Sequence, residues 1–308
     1  MDYLKIPGVS LPVSRLVMGS VGFFADDQEL CNERLDAWVE VGGNIVDTGR
    51  IYGRGESEQV IGSWLDSRGL RDEFIVLTKG CHPHGKARRV TSEALESDIS
   101  ESLEVLQTDR IDIFLMHRDD LSVPVGEIIT WLNEHKDAGT VKALGASNWT
   151  QSRVEAANEF ARDNGLSGFE VVSNYAGLAT TNESMWWECI DMDEDYRNWH
   201  IETQTPNVCW SSLSHGFFSG KQDLDDAVNA ELVRTYDNAE NWGRLHRAME
   251  IGRSRNLTAT QIACAFVLSQ KYPSLAVTSP ESVEELRELV EASEVELSDE
   301  ELFWLEGN

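Results

Sequence analysis

Basic residues are scarce in this chain of 308 residues: 26 Lys plus Arg stand against 54 Asp plus Glu, a formal charge of −28. No basic stripe is available to neutralise a phosphate backbone, so nucleic acid is not an expected partner. Lysine is scarcer still, with seven residues. A carboxylate-rich, lysine-poor surface resembles that of salt-adapted, halophilic proteins, where concentrated salt screens the self-repulsion of an acidic chain. Long apolar runs are missing too. No stretch approaches the ~20 residues that cross a bilayer, so no membrane span is expected. The start, MDYLKIPG, has neither the basic residues nor the apolar run of a secretory signal, and a cytoplasmic protein is the default expectation. Five scattered cysteines, Cys31, Cys81, Cys189, Cys209 and Cys264, do not look like a disulfide framework. Cys81, His82 and His84 lie close together, but without a second cluster in register they are a weak zinc signal, and no metal is expected.

Hydrophobic residues make up 41% of the chain, enough for a sizeable core. Short β-branched or apolar runs alternate with longer amphipathic ones. The runs predict strands at Arg15–Met18, Asn44–Asp47, Phe74–Thr78, Ile111–Met116, Val141–Ala146, Phe169–Ser173, Asn207–Trp210 and Leu275–Val277. The amphipathic stretches predict helices at Leu30–Val41, Glu58–Ser67, Thr91–Leu106, Val125–Ala138, Gln151–Asn164, Asn238–Ser254, Thr258–Gln270 and Ser282–Glu291, several stopped by glycine. Eight strands separated by helices argue for an α/β fold, a single (β/α)8 TIM barrel spanning residues 1–308. Leu4–Pro12 reads as a hairpin turning at Gly8, and residues 174–206 as a long aromatic-rich loop on the carboxyl face of the strands. A doubly wound sheet is the runner-up, although no Gly-rich dinucleotide turn follows the first strand.

In a barrel, chemistry gathers at the carboxyl ends of strands. Asp47 closes NIVD, Tyr52 follows five residues on, Lys79 closes IVLTK and His117 closes IFLMH. This set suits carbonyl reduction, in which developing charge on oxygen needs a proton donor. Tyrosine is a weak acid, with a free pKa of about 10. An ammonium beside it favours the phenolate and lowers that value. Lys79 would supply the charge, Asp47 would hold Lys79, and His117 would hydrogen-bond or orient the substrate oxygen. Singly, Asp47 reads more often as a helix cap or turn residue, Tyr52 as packing and His117 as a core-edge histidine, whereas Lys79 at the end of an apolar strand is less easily dismissed.

NIVDTGRIYGRGESEQVIGSWL strongly resembles the aldo-keto reductase signature, RIDIFLMHRDD its histidine strand and VKALGASNW its cofactor segment. The resemblance runs from Val13–Gly19 to Leu297–Leu305 and looks closest to the bacterial and archaeal branch related to aryl-alcohol dehydrogenases and potassium-channel β-subunits. It implies that Asp47, Tyr52, Lys79 and His117 are a catalytic tetrad, with Tyr52 as general acid in reduction and base in oxidation. It implies a nicotinamide cofactor, NADPH or NADH, and a small carbonyl or alcohol substrate. Ser147 and Asn148 match the pair that holds the carboxamide. A glutamine is usual at the end of the sixth barrel strand, where Ser173 or Asn174 must substitute. Trp210 stands where an aromatic residue stacks on the nicotinamide. Ser211, Leu213, His215 and the stretch to Lys221 match the pyrophosphate loop. Thr278, Ser282 and Glu285 are the cofactor-side positions after the last strand. Thr278 replaces the basic residue that NADPH-preferring members use for the 2′-phosphate, and Leu286 replaces an adenine-contacting asparagine. Without a guanidinium fork, and with Glu281, Glu284 and Glu285 nearby, NADH use is expected to be open to this chain, with Arg287 the one candidate rescue.

Met185, Trp186, Trp187, Tyr196 and Trp199 give the long loop an aromatic character that suits a pocket wall for aryl or sugar-derived substrates, or equally an anchor of the loop against the barrel rim. Two rival functions remain. One is a nucleotide-binding redox sensor or regulatory subunit with little turnover, against which stands the presence of all four tetrad residues. The other is a barrel hydrolase or isomerase using Asp47 and His117 without nicotinamide, which would leave Ser147, Asn148 and Ser211–Lys221 without a role. Charge alone does not choose between a monomer and a homo-oligomer.

Overall fold

Every one of the eight apolar runs forms a strand in the computed structural model, which describes residues 1–221, 226 and 229–307. A short antiparallel pair, β1 (Tyr3–Leu4) and β2 (Val13–Ser14), comes first. Its connection turns at Gly8, whose φ of 82° and whose position against the Lys142 carbonyl, 2.5 Å from where a Cβ would lie, leave no room for a side chain. The parallel strands are β3 (Leu16–Gly19), β4 (Ile45–Asp47), β5 (Ile75–Gly80), β6 (Ile111–Met116), β7 (Val141–Ser147), β8 (Val171–Ser173), β9 (Asn207–Cys209) and β10 (Ser274–Thr278). They close into a barrel in the order β10-β3-β4-β5-β6-β7-β8-β9. This is the (β/α)8 architecture, and closure excludes the doubly wound alternative. Strands buried on both faces read as near-continuous apolar runs, as IVLTKG of β5 does with all six residues buried.

Contacts gather the chain into two compact units: residues 3–173, and the segment from Asn174 onward with Met1–Asp2. The first holds β1 to β8 with helices α1 (Gln28–Glu40), α2 (Ser57–Arg68), α3 (Ser92–Val105), α4 (Val125–Asp137) and α5 (Gln151–Asp163). Helix α3 starts where Thr91 accepts the Ala94 amide and buries Leu95, Asp98, Ile99 and Ser102, the i, i+3, i+4, i+7 stripe of an amphipathic helix.

The second unit holds α6 (Glu194–Thr203), β9, α7 (Ala230–Tyr236), α8 (Ala239–Arg255), α9 (Ala259–Leu268), β10, α10 (Val283–Ala292) and α11 (Asp299–Leu305). Its clearest difference from the sequence reading is α6, which lies inside the segment expected to be a loop. Asp193 caps it by accepting the Tyr196 amide, Tyr196, Trp199 and His200 are buried at i, i+3 and i+4, and Gln204 ends it in a left-handed conformation. Those three rings anchor a helix. Trp186 and Trp187, at 42% and 44% exposure, remain the accessible aromatics of the segment. Helices α7 and α11 are also additions to the expected set, α11 being opened by a Ser298–Glu301 capping box.

Candidate active site

Strand register decides which side chains share a face. Asp47 is paired with Leu77, and Lys79 lies two residues further along β5. Lys79 is paired with Leu115, and His117 lies two residues beyond that. Leu115 is paired with Gly145, two before Ser147, which is itself paired with Ser173. Because side chains alternate along a strand, Asp47, Lys79, His117, Ser147 and Ser173 all leave the same face of the sheet. Tyr52 arrives by a different route. Beyond β4 the chain keeps pairing with β5, through Thr48 N–H to Leu77 O (2.8 Å) and Arg50 N–H to Lys79 O (3.1 Å). It then enters the turn Tyr52–Gly55. Gly53 sits there at φ 56°, where an added Cβ would lie 2.2 Å from the Phe23 carbonyl. The Arg50 side chain ties this segment down by donating to buried Glu58 (2.6 Å) and to Glu101 (2.7 Å).

The four tetrad positions meet around one ammonium. Lys79 Nζ donates to Asp47 Oδ1 at 2.5 Å, to the Thr48 carbonyl at 2.9 Å and to Tyr52 Oη at 3.1 Å. Lys79 is 2% exposed and Asp47 4%. The Tyr52 ring packs edge-to-face on His117 at 5.7 Å. Burial works against the Lys79 ammonium, yet Asp47 and then Tyr52 outweigh it and hold the lysine pKa above its usual value. Burial pushes Asp47 up, with Lys79 pulling it back only in part. Burial and then the positive charges of Lys79 and Arg118 push His117 well below the usual histidine range, so it is neutral and carries a single N–H.

Tyr52 differs from the sequence expectation. Its pKa is raised, because loss of water around the phenol outweighs the pull of Lys79, and Asp47 adds to the rise. Tyr52 is therefore a phenol holding its proton, with the ammonium already hydrogen-bonded to the oxygen from which that proton would leave. The Thr48 carbonyl, the third acceptor on Lys79, was missed by the sequence reading, since a backbone oxygen leaves no residue-type signal.

Asn148, at φ 59°, donates from Nδ2 to Ser147 Oγ (2.9 Å), and its N–H bonds the Ser173 carbonyl (3.1 Å). In the second unit, the buried Asn174 donates its N–H to Asn207 Oδ1 at 3.1 Å. Trp210 packs against Tyr175 at 5.3 Å and Trp186 at 5.7 Å, and its Nε1 is enclosed without a hydrogen-bond partner. Ser211 lies at φ 49° with Oγ 3.0 Å from His215 Nε2, Leu213 precedes the turn Ser214–Ser219, and Lys221 is exposed. Thr278 is buried with an unpartnered Oγ1. Ser282 caps α10, accepting the Glu285 amide at 3.1 Å, while the Glu285 carboxylate accepts the Glu281 amide at 2.8 Å. Leu286 is buried and Arg287 exposed. Among the described residues, no three His, Cys, Asp or Glu side chains gather as a metal site, and no helix is long and apolar enough to cross a membrane.

The family profile described as aldo/keto reductase matches residues 15–306. The chain is 28% identical to norsolorinic acid reductase B of Aspergillus parasiticus, over 98% of its own length and 82% of that protein. It is 28% identical to an aryl-alcohol dehydrogenase of Pestalotiopsis microspora, over 97% of its own length and 79% of the other. Its fold is similar to that of a thermostable aldo-keto reductase crystallised with the inhibitor epalrestat, with a TM-score of 0.76 and 20% identity over 99% of both chains.

Proposed function

We propose, on the premise that this chain belongs to the aldo-keto reductase family, that it reduces an aldehyde or ketone to the alcohol, reversibly, with Tyr52 as the proton donor. The observation that carries the reading is the single buried ammonium of Lys79 bridging Asp47 Oδ1 and Tyr52 Oη. A bound nicotinamide nucleotide supplies the hydride. As the substrate oxygen gains charge, Tyr52 Oη gives up its proton, and the nearby Lys79 ammonium stabilises the phenolate left behind. His117 Nδ1 is enclosed without a partner among the described residues, which leaves Nε2 as the nitrogen available to orient the same oxygen. Enclosure of Asp47, Lys79 and His117, with Tyr52 half-buried beside them, keeps these charges in a low dielectric, where each interaction is worth more than in water.

Each unit, taken by itself, carries groups suited to part of a nicotinamide nucleotide. Ser147 and Asn148 set a hydroxyl and an amide side by side, the complement of a carboxamide that both donates and accepts. Within the second unit, Trp210 offers a large aromatic face, and the Thr278 hydroxyl, without a partner among the described residues, suits a ribose hydroxyl. The turn before α10 is a poor phosphate site, since Glu285 and Ser282 already take the Glu281 and Glu285 amides that an anion would need. Glu281, Glu284 and Glu285 are exposed carboxylates beside it. We therefore assign NADH as the preferred cofactor; exposed Trp186 and Trp187 favour an aryl or sugar-derived carbonyl compound as substrate, and 54 Asp plus Glu against 26 Lys plus Arg favour a salt-rich cytoplasm as the working environment.

A panel of aryl and sugar-derived aldehydes, run with NADH and NADPH in parallel at low and multimolar salt, tests this. Consumption of NADH with at least the kcat/KM of NADPH, increasing with salt, is expected. Tight nucleotide binding without consumption on any carbonyl would support the regulatory reading instead.

A further inference from the structure

His82 stands outside the tetrad, yet its ring is 4.6 Å from that of His117 with planes at 68°, nearer than the Tyr52 ring at 5.7 Å. The geometry around it is built. Residue 81, just past β5, is a cysteine in the left-handed region at φ 60°, a conformation that costs a non-glycine residue roughly 1–3 kcal/mol. The buried Asp98 carboxylate holds it there, accepting the Cys81 amide at 2.6 Å. Asp98 is itself fixed by the Arg89 guanidinium at 2.8 Å and 3.1 Å. The turn at Cys81 directs the chain so that His82 faces His117. The His82 ring is then locked, with Nδ1 2.8 Å from the Pro83 carbonyl, so that nitrogen must carry the proton.

His117 needs such a neighbour. A functional histidine is commonly oriented by a hydrogen bond on its second nitrogen. His117 Nδ1 is enclosed and has no hydrogen-bond partner among the described residues. Its ring orientation must therefore come from packing, and the two rings in contact with it are Tyr52, which also handles the proton, and His82. We propose that His82 is a positioning residue: its tethered ring, turned into place by Cys81, Asp98 and Arg89, fixes the His117 imidazole so that Nε2 meets the substrate oxygen. This rests on the reductase reading for its consequence in turnover, but the packing role can be read without turnover.

The test compares His82→Ala, which removes the ring, with His82→Phe, which keeps an aromatic edge. Long-range 1H–15N NMR follows the titration of His117, and steady-state kinetics follows kcat and KM separately. The groups facing His117 are Lys79, Tyr52, Arg118 and His82. Deleting His82 reduces the burial that depresses the His117 pKa and removes one of the groups that lower it, so both changes act upward. For His82→Ala the titration is expected to move up towards the ordinary histidine value and kcat to fall about tenfold, with KM little changed. His82→Phe is expected to restore both. Should the alanine protein not fold, His82→Leu gives the same comparison. An unmoved His117 titration in His82→Ala overturns the proposal. So does an equal loss in both variants through KM, which would make His82 a substrate contact. Absence of reductase activity in the wild-type protein would sink the reductase reading alone, since the NMR comparison stands without it.

Discussion

The carboxyl ends of β4, β5 and β6 and the turn after β10 each gather polar residues, but they use them in opposite ways. At the first, one buried ammonium serves Asp47, Thr48 and Tyr52, and the proton that matters stays on a phenol whose partner is already in place. At the second, Ser282 and Glu285 close on the backbone of their own helix. The difference separates a buried ammonium shared by three acceptors from polar groups that cap their own helix. Carboxylates in the chain are common, and what distinguishes Asp47 from Glu285 is enclosure: Asp47 is 4% exposed with a lysine at 2.5 Å, whereas Glu285 is exposed and capping.

The largest expected effect comes from breaking the first region at its centre. Lys79→Met should lower kcat by on the order of 10³-fold, because it removes the charge that makes Tyr52 a usable acid. It should also destabilise the protein by about 3–5 kcal/mol near neutral pH, since Asp47 is left as a buried charge without its partner. The sign of the pH dependence follows from the Asp47 pKa, which burial already raises. Without Lys79 it rises further, so the folded state gains relative stability below the unfolded Asp pKa and loses it as pH climbs through the folded value. Denaturant melts of variant and wild type from acid to neutral pH should show a deficit that widens with pH. A constant deficit would mean that Asp47 is not charged in the wild-type site.

A smaller effect probes the second region. Replacing Glu285 with Gln and Thr278 with Arg removes one carboxylate and adds a guanidinium fork. The ratio of NADPH to NADH affinity, read by quenching of tryptophan fluorescence, should rise by about tenfold, the value of one charge-assisted contact. An unchanged ratio would detach the turn before α10 from cofactor choice and weaken the contrast between the two regions.

Much of the first region could be read from the sequence. Strand-end polar residues in IVD, IVLTK and IFLMH stand out against apolar runs, and the period of two in a parallel register carries them to one face. Strand-end placement makes the set plausible and the family resemblance makes it strong, while the register itself is set by strand pairing. What escaped was set by tertiary surroundings. The direction of the Tyr52 pKa depends on how much water the half-buried phenol loses in the fold, which residue types do not report. His82 read as half of a weak metal motif, because neither the left-handed Cys81 nor its Asp98 anchor, seventeen positions on, has a local signature. Helix α6 was legible in principle: Asp193 as a cap and Tyr196, Trp199 and His200 at helical spacing were present, but the aromatic content of the segment suggested a pocket wall. Ser282 and Glu285 match cofactor positions by resemblance, yet the same serine with a glutamate three residues on is also a helix-start signature.

Tyr52, in the proposed reaction, delivers the proton under the control of Lys79 without holding the cofactor. Tyr52→Phe keeps the ring against His117 and removes only the hydroxyl, so turnover and NADH binding of this one variant, measured side by side, test it most directly. The account predicts a loss of kcat on the order of 10³-fold with an NADH dissociation constant within about twofold of wild type. Reduction of the same aldehyde at close to the wild-type rate would contradict it.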